Sequence, residues 1–112
     1  MTQHEEPIRL RHMLDHAREA IALAQGKTKD DFKRDRLLQL GLVRLVEIIG
    51  EAATRVSQEI VNENPSIPWP RIRGTRNRLI HEYDKIDLDV LWDTINLDLP
   101  PLVRELERIL NS

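Results

Sequence analysis

The chain is predicted to be all-α, a four- to five-helix up-and-down bundle forming one domain over residues 1–112. Three observations predict this. Apolar residues recur at spacings of three and four, start and stop signals bound those stretches, and no segment alternates apolar and polar residues as a strand would. Hydrophobic residues make up 40% of the 112 and charged residues 32%, which suits a single folded core and leaves too little chain for two. With aromatic residues at only 4%, that core must be aliphatic.

The first helix is expected to open at Pro7, a favoured first-turn residue, with Glu5 and Glu6 complementing the positive helix end. Leu10, Met13, Leu14, Ala17, Ile21 and Ala24 form its apolar stripe, and Gly26 supplies a stop. Thr28-Lys29-Asp30-Asp31 resembles a capping box ahead of a long second helix, expected from about Asp30 to Val61. From Leu37 to Ala53 that helix is apolar over more than half its circumference, which places it at the bundle centre. Gly41 and Gly50 are costly inside a helix and point to close packing or a bend. Arg44, Glu47, Glu51 and Arg55 make a polar row, readable either as a solvated face with intrahelical ion pairs or as the wall of a cleft or subunit contact. Asn62 to Pro70 is a clear break, with three prolines in six residues. A third helix is expected from Pro70 or Arg71 to about Tyr83, then a turn over Asp84 to Asp87, with Asp87 a candidate cap. A fourth apolar face runs through Leu88, Leu91, Trp92, Ile95 and Leu99. Pro100-Pro101 should break or kink it by forcing Leu99 out of the helical region, after which Leu102, Leu106, Ile109 and Leu110 continue the stripe.

Composition narrows the chemistry. Seventeen Lys and Arg against 19 Asp and Glu give a net charge of -2, so a nucleic-acid surface must be a local patch. The absence of cysteine excludes disulfides, thiolate zinc sites and cysteine nucleophiles together. The start, Met1 to Glu6, is acidic where a secretory signal is basic, and the longest uncharged, proline-free stretch of the apolar middle, Leu37 to Val43, falls far short of the ~20 residues that span a bilayer. A cytoplasmic protein without a membrane partner is expected. No G-x-S-x-G context and no phosphate-cradling glycine loop occurs.

One segment breaks the charge pattern. Arg71, Arg73, Arg76 and Arg78 fall within eight residues, followed by His81. The planar guanidinium fork matches two phosphate oxygens, so such a cluster suits phosphate contact, although pairing with Asp84, Asp87, Asp89 and Asp93 downstream would also explain it. On an ideal helix Arg73, Asn77 and His81 share one face, whereas Arg76 lies about 140° round from His81. Those two side chains meet only if the helix is distorted, if both bend into one cleft, or if a second subunit supplies a partner.

The segment Arg76-Asn77-Arg78-Leu79-Ile80-His81-Glu82-Tyr83 resembles the R-x4-H-x-Y signature of the HEPN superfamily, in the subgroup of HepT-like toxins. Ile48 to Ala52, Trp69, Ile72-Arg73-Gly74, Tyr83 to Asp87, Val90-Leu91-Trp92 and Leu99 to Leu102 extend the likeness over nearly the whole chain. The resemblance implies a metal-independent endoribonuclease toxin needing no cofactor, acting as a homodimer whose motif segments form one basic cleft. It implies Arg76 as the group that neutralises the scissile phosphate, His81 as general acid/base, Asn77 as an orienting residue, and Arg71, Arg73 and Arg78 as contacts to RNA phosphates, transfer RNA being one candidate substrate. It also implies an MntA-like nucleotidyltransferase antitoxin that adds AMP to Tyr83; read from the residues alone, Tyr83 is a tyrosine packed at a helix end. The alternative is a non-catalytic HEPN module that binds nucleotides or docks a nucleotidyltransferase.

Other candidates are weaker. His12 and His16, spaced i, i+4 with Asp15 and Glu19 nearby, make at most half of a helical metal site, and no second E-x-x-H helix completes one; a surface or interface role is expected. Trp69 and Trp92 are expected as core and loop anchors.

Overall fold

The computed structural model describes residues 5–83 and 85–111. Met1 to His4, the side chains of Glu5 and Glu6 that make the start acidic, and Asp84 of the expected turn lie outside the described residues. The fold is the predicted helical bundle, but its helices are more finely divided than periodicity suggests. Helix α1 (Glu5–Ala24) buries Leu10, Met13, Leu14, Ala17, Ala20 and Ala24, and Gly26 ends it at a φ of +77°. The capping box is present in full: the Asp31 amide donates to Thr28 Oγ1 at 3.1 Å and the Thr28 amide to Asp31 Oδ2 at 2.8 Å.

The expected helix from Asp30 to Val61 is three: α2 (Lys29–Arg34), α3 (Arg36–Thr54) and α4 (Gln58–Glu63). The first break falls at Asp35, whose extended backbone (φ -109°, ψ 96°) lets Oδ1 accept from the Leu38 amide at 3.0 Å. An N-cap carboxylate rewards starting a new helix, and buried Gln39 repairs the gap by donating to the Phe32 carbonyl at 2.7 Å. The step drives Phe32 fully inside, edge-on to Trp92 with centroids 5.0 Å apart. The second break ends on Ser57, whose Oγ accepts from the Ile60 amide.

Helix α3 packs chiefly on α1, and α1 in turn on α8. Leu38, Leu42, Leu45, Val46, Ile49 and Ala53 face the core, and burying a large aliphatic side chain of this kind contributes about 1.5–3 kcal/mol. Leu37 does not join them: it is 82% exposed, and Leu40 is 45% exposed. Gly50 explains itself by proximity, because a Cβ there would lie 3.1 Å from the Ile72 carbonyl oxygen. The next segment can therefore cross α3 closely only where α3 has no side chain.

That next segment corrects the expected helix over residues 70–83. It consists of α5 (Trp69–Arg73), α6 (Thr75–Leu79) and a small antiparallel hairpin of β1 (Ile80–His81) and β2 (Lys85–Ile86), with Ile80 opposite Ile86 and His81 opposite Lys85. Gly74, near φ -92° and ψ 3°, turns the chain between the helices while its amide donates to the Pro70 carbonyl. Ile80 is already extended, and the Asp87 amide donates to the Leu79 carbonyl at 2.8 Å. His81 thus stands beyond the helix end, and helical angles do not apply to it.

Helix α7 (Leu88–Asp93) is capped by Asp87 as expected, its Oδ1 accepting from the Val90 amide at 3.1 Å. A π-helical turn over Thr94–Asp98 leads straight into α8 (Leu99–Leu110). The expected break at Pro100-Pro101 is absent, and Leu99 is helical at φ -71° and ψ -41°. The wider turn provides the reason: the Leu99 amide bonds five residues back to Thr94, and both prolines occupy the first turn of α8, where a missing N–H costs least. Among the described residues no helix is long and apolar enough to cross a membrane.

Candidate functional site

The elbow at Gly74 sends the four arginines to different partners. Arg71 Nε donates to Asp98 Oδ2 at 3.0 Å, tying α5 to the π turn. Arg73 lies over the Trp69 ring, 5.8 Å from its centroid, and its Nε donates to the Ala53 carbonyl at the end of α3. Arg78 reaches back to the Arg71 carbonyl and Thr75 Oγ1, both at 3.2 Å. These three guanidinium groups all fasten the elbow. Arg76 is different. Its Nε donates to Glu47 Oε2 of α3 at 2.7 Å, with Arg76 68% and Glu47 23% exposed.

That pair stands in a cleft of about 440 Å³ between α3 and the elbow, floored by Gly50 and lined by Arg44, Glu47, Glu51, Arg73, Arg76 and Asn77. Three arginines against two glutamates leave these side chains at net +1. Both readings of the polar row on α3 hold in part: Glu51 pairs within the helix with Arg55 at 3.4 Å, while Arg44, Glu47 and Glu51 wall the cleft.

His81 opens elsewhere. Its side chain is 56% exposed in a concavity of about 680 Å³ lined by Ile80, Glu82, Lys85, Ile86 and Asp87, with Nε2 3.5 Å from Asp87 Oδ2. The structure therefore brings Arg73, Arg76 and Asn77 to one cleft and places His81, in the same chain, on another. Beyond it the hairpin turns through positive φ at Glu82 (28°) and Tyr83 (61°), and Tyr83 is fully exposed rather than packed at a helix end. Non-glycine residues are uncommon in this region, and here two follow one another.

Two residues at the site carry more than sequence reasoning gives them. Asp87 is legible in the sequence only as a cap, yet its second carboxylate oxygen faces His81; the signal is its position six residues on, across a turn. Glu47 reaches Arg76 from a distant helix, which no local spacing announces. The remaining candidates lie outside both concavities, His12 exposed and His16 half-buried on α1. His16 Nδ1 lies 2.6 Å from the His12 carbonyl of its own helix, and Trp69 is buried with Nε1 donating to the Asn64 carbonyl at 3.0 Å. Among the described residues no three His, Asp or Glu side chains converge as a metal site would.

The fold and site together define an all-α bundle that carries an R-x4-H-x-Y segment on a bent helix pair and hairpin. The chain belongs to the ribonuclease HepT-like family, which matches it over residues 13–109. A candidate RNase of Caldanaerobacter subterraneus subsp. tengcongensis is 35% identical over 103 residues, covering 92% of each chain. A probable ribonuclease HepT of Thermococcus cleftensis is 35% identical over 100 residues, covering 86% of this chain and 91% of its own. A candidate RNase of Methanocaldococcus jannaschii is 30% identical over 100 residues, 89% of this chain and 83% of its own. No solved structure matches the chain.

Proposed function

We propose that the protein is a metal-independent endoribonuclease toxin acting as a homodimer. The observation that carries this reading is Arg76: Glu47 holds it by Nε, which leaves the terminal amino groups of its fork for a phosphate at the wall of a net positive cleft. RNA supplies its own nucleophile. One neutral His81 takes the proton from a 2′-OH, the O2′–P bond forms, the P–O5′ bond breaks, and the departing O5′ takes a proton from a protonated His81. The products are a 2′,3′-cyclic phosphate and a 5′-hydroxyl. A twofold axis supplies both histidines and brings the His81 of one protomer to the Arg76 of the other, while Arg76 stabilises charge developing on phosphorus. Exposed Leu37 and Leu40 support the dimer, because they continue the stripe of Arg44, Glu47 and Glu51 on α3, so a partner covering them would sit at the cleft mouth. Asn77 orients the site.

Tyr83 is the point of control in this reading. Fully exposed beside His81 in sequence, it is accessible to an MntA-like nucleotidyltransferase antitoxin; an added AMP brings negative charge and bulk to the region meant for RNA phosphate. The separation of Arg76 and His81 within one chain favours the second reading, a HEPN module that docks a nucleotidyltransferase without cutting RNA. One experiment separates them: the chain expressed alone, beside His81→Ala and Arg76→Ala, with growth and the integrity of cellular RNA followed and the purified proteins assayed in EDTA. Toxicity and cleavage confined to the unsubstituted chain, and persisting in EDTA, support the ribonuclease. Equal behaviour of all three removes it.

A further inference from the structure

We propose that Asp87 is the positioning residue for His81, holding its imidazole in one tautomer and stabilising the imidazolium formed when His81 takes a proton. The proposal rests on the ribonuclease reading above. Its ground is the way Asp87 is fixed. The backbone amide donates to the Leu79 carbonyl at 2.8 Å, and Oδ1 accepts from the Val90 amide at 3.1 Å as the cap of α7. With amide and one oxygen fastened, the direction of the other oxygen is set, and Oδ2 lies 3.5 Å from His81 Nε2. A cap requires one oxygen only, which leaves the second to meet the imidazole.

The hairpin fixes the other partner. Pairing of His81 with Lys85 and of Ile80 with Ile86 sets the backbone of β1 against the strand that leads directly into Asp87. Among the described residues, the charged groups lining the same concavity are Glu82, Lys85 and Asp87, and of these Asp87 lies within ion-pair distance of the ring. A carboxylate facing Nε2 favours the tautomer that carries its proton there, leaving Nδ1 as the acceptor turned to RNA. Once Nδ1 is protonated, the ring bears a positive charge that the carboxylate balances. The logic is that of an acid orienting a histidine base, supplied here by a helix cap.

Two substitutions separate the cap from the charge. Asp87→Asn keeps a good N-cap and loses the carboxylate; Asp87→Glu keeps the carboxylate and weakens the cap. With bulk RNA as substrate, Asp87→Asn is expected to lower kcat about tenfold to a hundredfold at nearly unchanged KM and melting temperature, less than for a fully buried His–Asp pair because this one is half exposed. Ring-nitrogen NMR should show the His81 tautomer balance shift in the same variant. Asp87→Glu should melt lower while recovering part of the kcat that Asp87→Asn loses. Wild-type kcat in Asp87→Asn, or a fall in kcat that follows a fall in melting temperature with the tautomer signature unmoved, overturns the proposal. Activity retained in His81→Ala instead removes the underlying ribonuclease reading, so the two failures are distinguishable.

Discussion

Replacing Glu47 separates holding Arg76 from attracting RNA. In Glu47→Gln an amide oxygen can still accept from Arg76 Nε, as the carboxylate does at 2.7 Å, but the negative charge is gone. The charged side chains of the cleft then go from net +1 to net +2. A phosphate on the far edge of the guanidinium lies about 6 Å from the Glu47 carboxyl group, where the repulsion is about 0.7 kcal/mol in water and about 2.8 kcal/mol at an effective dielectric of 20. With Arg76 68% exposed the lower figure governs, which is about threefold in KM. Glu47→Gln is therefore expected to lower KM about threefold while changing kcat by less than that. Glu47→Ala removes the hold as well, lets the guanidinium sample its rotamers, and is expected to lower kcat about tenfold. Neither should cost more than about 1 kcal/mol of stability, since one partner is largely exposed. Steady-state cleavage of RNA beside thermal melts reads all of these quantities. Undiminished kcat in Glu47→Ala, or a raised KM in Glu47→Gln, would refute the reasoning.

Two further outcomes follow from the structure. Gly50→Ala gains about 1 kcal/mol of helix propensity but sets a methyl 3.1 Å from the Ile72 carbonyl, so its melting temperature should barely move while RNA cleavage falls as the elbow bearing Arg73 and Arg76 is pushed away; full stabilisation with intact activity would contradict this. Acid should loosen the fold at three carboxyl groups held below their ordinary values, Asp31 chiefly by the Thr28 amide, Asp89 by Lys29 and Glu105 by Arg108. Their contribution is fully present above the ordinary values of 3.8 for Asp and 4.5 for Glu and is lost as pH falls below them, so melting temperature should drop there, less steeply in Asp31→Asn; equal slopes would exclude the Asp31 contribution.

Several signals that act within one turn of chain are legible in the sequence. The capping box at Thr28 and Asp31, the cap at Asp87 and the stop at Gly26 each depend on a side chain and an amide three residues away or on one backbone angle, and all three stand in the structure. The breaks at Asp35 and Ser57 are hidden because apolar spacing carries on across them, and only the caps they supply to Leu38 and Ile60 reveal them. Leu37 is core by residue type and 82% exposed in fact, since the new helix beginning at Arg36 turns Leu38 inward instead. Leu99 stands before two prolines, where local sterics disfavour the helical region, yet it is helical and buried, so tertiary packing outweighs that preference. At the site, residue types are legible and their partners are not, because Glu47 lies 29 residues from Arg76 and Asp98 lies 27 from Arg71.

The broken motif helix changes what the R-x4-H spacing means. On a continuous helix, five residues would hold Arg76 and His81 about 140° apart, and no side-chain partner could alter that. Ending the helix at Leu79 puts His81 on a strand, so its position relative to Arg76 depends on tertiary contacts rather than helical pitch. Each motif residue then meets a carboxylate from outside the segment, Glu47 of α3 for the guanidinium and Asp87 at the head of α7 for the imidazole. These anchors belong to different elements of the bundle, so the two groups can be set independently, one at the α3 cleft and one at the hairpin. A twofold dimer that unites them needs no distortion of either, only a surface that brings one protomer's hairpin to the other's cleft.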